Sequence, residues 1–146
     1  MFSDFLFPLR NRKQLSKIRK DNLVSAAFRE RLMLAVTAVN GCRYCSYFHT
    51  KQALKSGVAD GEIRKLLACD VGSCPEDEIA ALFYAQHWAE TDGHPDAEAL
   101  KKVEDAYGTE KVEAIHLLLR MIRLGNLMGN TWDYFIYRIT FGRCRR

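Results

Sequence analysis

A chain of 146 residues with 48% hydrophobic content is long enough for one compact domain that buries about two-thirds of the surface its unfolded form exposes, and too short to suggest a second. Its formal charge of +4 is unevenly placed: six of the 22 basic residues lie between Arg10 and Lys20 and four from Arg138 to Arg146, while Asn22 to Tyr137 holds 12 Lys and Arg against 16 Asp and Glu. That acidic middle excludes a nucleic-acid-binding face over the body of the protein, and the basic run reads as a solvated arm rather than a nucleic-acid or membrane anchor.

The chain opens on "MFSDFLFPLRNRKQ", where apolar residues precede the charges and Pro8 cuts the run short of a signal core. No export signal is expected, and the expected location is cytoplasmic. The five cysteines are odd in number, which argues against a structural disulfide framework and for thiols that are free, metal-bound or redox-active. Strand signals are almost absent and 3.6-residue periodicity covers most of the chain, so the expected fold is all-α, a bundle of about six helices.

A first helix is predicted from Val24 to Val39, with "LMLAV" apolar all round, as in a helix buried on several sides; Asn40-Gly41 ends it. A second starts near Cys42 and stops at Gly57, and a short third runs from Asp60 and Glu62 toward Ala68. A fourth takes Ser73 or Cys74 as its cap, with Pro75 in its first turn and Gly93 at its end. A fifth lies between Pro95 and Gly108. Thr109 caps a long sixth segment, with a break expected near Gly125 or Gly129. Arg120, Arg123 and Asp133 interrupt the apolar run from Ala114 to Phe141, so it does not read as a membrane span. Gly125 and Gly129, four apart, let another helix approach closely. Trp132, Tyr134, Phe135 and Tyr137 follow, either in a core helix or between subunits.

The chemistry concentrates in the second helix. Cys42 and Cys45 share a helical face, and His49 follows one turn later on the same side. Because both cysteines fall in a first turn, where unpaired N–H groups and the dipole favour anions, their thiol pKa is expected below the free value of about 8.5. His49 can take or return a proton. Folding the first two helices into an antiparallel hairpin about Gly41 pairs residues whose numbers sum to roughly 82. Position 33 then faces position 49, and Glu30, one turn from position 33, comes within reach of His49. Within "FRERL" alone Glu30 would read as part of a solvated face; its spacing of twelve residues to Cys42 singles it out. A carboxylate orienting an imidazole beside a thiol is an arrangement that activates cysteine. By residue chemistry the pair can still be a redox centre, a metal site or plain packing. A zinc site would need further ligands, and nothing in the spacing of Cys69, Cys74 and His116 asks for them. Cys69, Cys74 and Cys144 read as ordinary thiols, and His87, His94 and His116 have no evident partner.

The pattern Glu30, Cys42-Arg43-Tyr44-Cys45, His49, followed by "QALKSGVADGEIRKLL" and "EDEIAALFYA", resembles the alkyl hydroperoxidase D (AhpD)-like branch of the carboxymuconolactone decarboxylase family, over roughly Val24 to Trp88. The resemblance implies a single AhpD-like domain over 1–146, with a basic arm over about 1–20 and the motif region over about 24–90, its helical hairpin central. It implies a peroxidase or disulfide oxidoreductase of peroxiredoxin type in which Cys45 attacks a hydroperoxide or disulfide and Cys42 resolves the product. Glu30 and His49, with water, form the proton relay, and an external dithiol or protein reductant reopens the Cys42–Cys45 bond. No cofactor or metal is called for, and the implied assembly is a trimer or hexamer. AhpD has a histidine just before the second cysteine, where this chain has Tyr44; many smaller relatives carry an aromatic residue there. Two alternatives remain: a decarboxylase acting on a lactone acid, a branch that lacks the CxxC, and a zinc-stabilised interaction module.

Overall fold

The computed structural model of the protein describes residues 10–14, 16 and 23–140. Most of the basic arm, the opening apolar segment and Cys144 lie outside the described residues. The fold is all-α, with no strand among the described residues. From Ala26 onward six helices follow: α1 Ala26–Asn40, α2 Arg43–Lys55, α3 Asp60–Leu67, α4 Glu76–Glu90, α5 Ala97–Tyr107 and α6 Thr109–Ile139. No described helix is long and apolar enough to cross a membrane.

Helix α1 is the centre of the bundle, packing against α2, α3, α4 and α6. Its apolar girth explains that position: Leu32, Leu34, Ala35 and Val36 are all fully buried, so no side of its middle turns meets water. The same placement buries charge. Arg31 lies in the interior, its Nε 2.5 Å from Glu62 Oε1 on α3 and its Nη1 3.1 Å from Glu78 Oε2 on α4. The guanidinium thus ties three helices together and is paired on both sides, as a buried cation must be.

Local signals account for the helix ends. Ser25 caps α1 through its hydroxyl, which accepts from Phe28 N–H. Gly41 closes the helix in the left-handed conformation (φ 66°), its N–H donating to Thr37 O, a backbone state that favours glycine. Expectations for two helices are corrected. Helix α4 begins one residue later than predicted: Pro75 itself is the cap residue, and neither Ser73 nor Cys74 provides a capping side chain. Helix α6 is continuous for 31 residues, with Gly108 rather than Thr109 at its N-cap and no break at Gly125 or Gly129. A glycine inside a helix costs only about 1 kcal/mol against alanine, and here both glycines lie where α6 passes closest to the cysteines.

Candidate active site

The site forms where the α1–α2 turn meets the middle of α6. Gly41 reverses the chain and leaves Cys42 as the N-cap of α2, extended (φ −82°, ψ 106°), with its sulfur accepting the Cys45 N–H at 3.4 Å. Cys42 is fully buried and Cys45 partly so, and both are free thiols. Four residues on, His49 points back toward α1, where Glu30 Oε2 stands 2.7 Å from its Nδ1. Glu30 is only 4% exposed, so its carboxylate is an interior group rather than part of a solvated face. Arg29 donates a hydrogen bond to its other oxygen at 3.1 Å.

Burial works to raise the Glu30 pKa, but the hydrogen bonds and charges of His49 and Arg29 outweigh it and hold the carboxyl below its ordinary value. Glu30 is therefore ionised at neutral pH and can only accept, which makes His49 Nδ1 the donor and leaves Nε2 as the basic nitrogen.

Cys45 departs from expectation. Rather than falling below the free value, the Cys45 pKa is pushed up to about 12: burial is the main cause, the Cys42 side chain adds to it, and a hydrogen bond with the Asn126 side chain opposes it. Desolvation beneath α6 outweighs the helix N-terminus, which stabilises an anion by only about 1 kcal/mol where solvent is near. At rest Cys45 is a thiol, and it needs a base to become a nucleophile.

Helix α6 forms the roof. A Cβ built on Gly129 would lie 2.6 Å from Cys42 Sγ, and one on Gly125 would lie 3.9 Å from Cys45 Sγ, so α6 touches the thiols through bare backbone. Beyond it Tyr44 is 41% exposed; its hydroxyl accepts from Arg43 at 2.9 Å and reaches Asp133 at 3.5 Å, and Arg43 pairs with Asp133 at 2.5 Å. Tyr47 and Phe48 are exposed beside the site.

The sequence reading singled out Glu30, Cys42, Cys45 and His49; the structure joins Glu30 to His49 and Cys42 to Cys45, with His49 one turn after Cys45 on α2. The sequence reading missed Asn126, fully enclosed between α1 and α2; a polar residue beside two helix-approach glycines was the available signal. It also left three histidines without a partner, two of which the structure pairs. Tyr84 and His116 are hydrogen-bonded at 2.6 Å and stacked, and His87 Nε2 lies 2.9 Å from Asp96 Oδ2. Cys74 is buried near Glu62 and Arg31, where desolvation raises its pKa to about 11, and Cys69 is exposed. Among the described residues no three metal-ligating side chains come together, so Cys42 and Cys45 have no third and fourth ligand there for a tetrahedral ion.

A family model described as "Carboxymuconolactone decarboxylase family" matches residues 11–90. The "Uncharacterized protein YdfG" of Bacillus subtilis (strain 168) is 30% identical over 125 residues, covering 80% of this chain and 83% of that protein. No solved structure gives a significant match.

Proposed function

The chain belongs to the carboxymuconolactone decarboxylase family, and from that premise we propose that it is a thiol oxidoreductase of the AhpD-like branch. It reduces hydroperoxides or disulfides through Cys45 and Cys42, with Glu30 and His49 as the proton relay. The observation that carries this reading is the pairing of the buried Glu30 of α1 with His49, 2.7 Å apart, His49 sharing α2 with Cys45, which burial holds protonated. A thiol with a raised pKa is a weak nucleophile until a neighbouring base removes its proton. His49 does so through Nε2, directly or through one water, and the Glu30 carboxylate stabilises the imidazolium that results.

The Cys45 sulfur attacks the terminal peroxide oxygen; an S–O bond forms and the O–O bond breaks. The proton held by His49 passes to the leaving alkoxide, giving an alcohol and a Cys45 sulfenic acid. The Cys42 thiol then attacks the Cys45 sulfur, water leaves, and the Cys42–Cys45 disulfide forms, the peroxide having taken two electrons. An external dithiol, itself oxidised to a disulfide, restores both thiols. With a disulfide substrate, Cys45 attacks one sulfur and the S–S bond breaks; the released thiolate takes the proton held by His49, and Cys42 then displaces the second thiol from the mixed disulfide. The cytoplasm, rich in such reductants, is the setting this cycle requires.

Thiol mapping by mass spectrometry, before and after stoichiometric organic hydroperoxide, tests the proposal. Wild type should form the Cys42–Cys45 disulfide, Cys42→Ser should stop at a sulfenate or mixed disulfide on Cys45, and Cys45→Ser should not react fast. Glu30→Gln should fold and react about a hundredfold more slowly, the scale of a lost general-base contribution. Wild-type reactivity in Cys45→Ser would remove Cys45 as nucleophile, and turnover of a lactone acid without either cysteine would replace the thiol reading with decarboxylation.

A further inference from the structure

Helix α6 lies wholly beyond residues 11–90, which match the family model, yet it closes over the sulfur of Cys45. It contributes Asn126, a polar side chain only 1% exposed. The amide is held from two directions by α1: its Nδ2 donates to Thr37 Oγ1 at 3.1 Å, and its Oδ1 accepts from Asn40 Nδ2 at 3.0 Å. Thr37 is itself fully buried, and Asn40 is the last residue of α1. A third bond, from Asn130 Nδ2 to Asn40 O at 3.0 Å, holds the same two helices in register. The bracket fixes the plane of the amide, and the remaining Nδ2 hydrogen is free of α1. On its two sides, Gly125 and Gly129 bring the α6 backbone onto the thiols, each position 3.9 Å from Cys45 Sγ as measured from its built Cβ.

We propose that Asn126 is a catalytic hydrogen-bond donor to Cys45, pre-oriented by Thr37 and Asn40 so that its second Nδ2 hydrogen meets the sulfur as it becomes a thiolate. The inference rests on the thiol reading above and extends it by naming what receives the negative charge. His49 removes the proton, but a sulfur enclosed by α6 has lost the water that would solvate the anion. A fixed amide dipole replaces that water at no cost of reorganisation during the reaction. The hydrogen bond with Asn126 already opposes the effect of burial on Cys45. Hydrogen bonds to charged groups are roughly twice as strong as neutral ones, so the donor matters most in the ionised state.

The test reads the Cys45 thiolate itself, independent of any peroxide. The rate of Cys45 alkylation by iodoacetamide is followed from pH 7 to 9 by peptide mapping in the full chain. Asn126→Asp keeps both bracket bonds, since Asn40 Nδ2 and the Thr37 hydroxyl can each donate to a carboxylate, but it has no hydrogen to give the sulfur. Asn126→Leu keeps the volume and has no polar group. Each is expected to alkylate at least tenfold more slowly than wild type across the range, and Asn126→Gln to recover part of the loss. Asn40→Ala, at a helix end where folding tolerates it, loosens the amide without removing it and should slow Cys45 about threefold. A merely structural Asn126 predicts that a folded Asn126→Leu keeps the wild-type pH profile, and that result overturns the proposal; Asn126→Asp also sets a carboxylate beside the sulfur, which disfavours the thiolate in either case. Should Asn126→Leu not fold, an unchanged rate in Asn40→Ala overturns it. If the profile shifts while no variant or wild type reacts with hydroperoxide, the donor stands and the peroxidase reading fails.

Discussion

Two glycines one turn apart on α6 face the same pair of thiols, yet different constraints govern them. At Gly125 an added Cβ would stand 3.9 Å from Cys45 Sγ, an ordinary van der Waals contact, so Gly125→Ala should gain up to about 1 kcal/mol of helix propensity. At Gly129 the same atom would stand 2.6 Å from Cys42 Sγ. Cys42 is fully buried and its sulfur holds the first turn of α2, so it cannot turn away without giving up the cap. Overpacking of this kind costs about 1–3 kcal/mol, more than the propensity gain. Chemical denaturation should therefore rank Gly125→Ala at or above wild type and Gly129→Ala below it. Gly129→Ala should also slow closure of the Cys42–Cys45 disulfide after oxidation. The opposite ranking would mean that α6 does not press on Cys42.

Between elements, the contact that makes stability depend on pH near neutrality is Tyr84 of α4 against His116 of α6. Burial lowers the His116 pKa from its ordinary 6.5; Glu104 and Glu113 oppose that shift and Arg120 adds to it. Burial likewise raises Tyr84 to about 12, so its hydroxyl stays protonated and donates to a neutral Nε2 at 2.6 Å. For a base with a depressed folded pKa, the stabilisation is fully present above the unfolded value. It is lost as pH falls from about 6.5 through the lower folded value. Thermal melts at pH 7 and pH 5 should show a larger loss for wild type than for His116→Gln, which keeps an acceptor that cannot titrate; equal losses would remove this pair as the cause. The pair also marks where sequence reading ends. The α1–α2 hairpin was legible because it is local: Asn40-Gly41 announces the turn, and the twelve-residue spacing of Glu30 to Cys42 becomes a contact once that turn is made. The meetings of α6 with α1, α2 and α4 join residues 32 to 90 positions apart, for which helical periodicity gives a buried face but no partner. Hence Asn126, the His116 contact and the continuity of α6 came only with the structure. The lowered thiol pKa failed for the same reason, since the helix start was visible in the sequence and the burial imposed by α6 was not.

At the scale of the whole molecule, the second half of α6 raises a question of coverage. From Leu127 to Thr140 no residue is buried, yet Leu127, Met128, Trp132, Tyr134, Phe135, Tyr137 and Ile139 are all large, apolar or aromatic, and exposed. Met128, Trp132, Phe135 and Ile139 repeat at intervals of four, three and four, which puts them on one face of the helix. The outer face of α2 adds Tyr47, Phe48 and Leu54, and Ala53 is the one buried residue of that helix. Isolated helices gain most of their stability by packing an apolar face, and contiguous apolar surface on a soluble domain marks an interaction site. The resemblance to the AhpD-like branch implies a second copy of the chain as the occupant, with a trimer or hexamer as the expected assembly. Sedimentation velocity should give a mass of three or six chains for wild type. Trp132→Glu and Phe135→Glu together place two charges on that face without touching the enclosed residues of the site. They should yield a monomer of undiminished helical content that retains the Glu30–His49–Cys45 arrangement. A wild-type monomer, or a double variant that remains assembled, would show that this face serves some other contact. Because Gly129, Asn130 and Asp133 lie on the same helix and hold the roof over Cys42 and Tyr44, assembly should also steady the site. The monomeric variant is therefore expected to expose Cys45 to alkylation faster than the oligomer does, by loosening the roof while the hairpin beneath it stays folded.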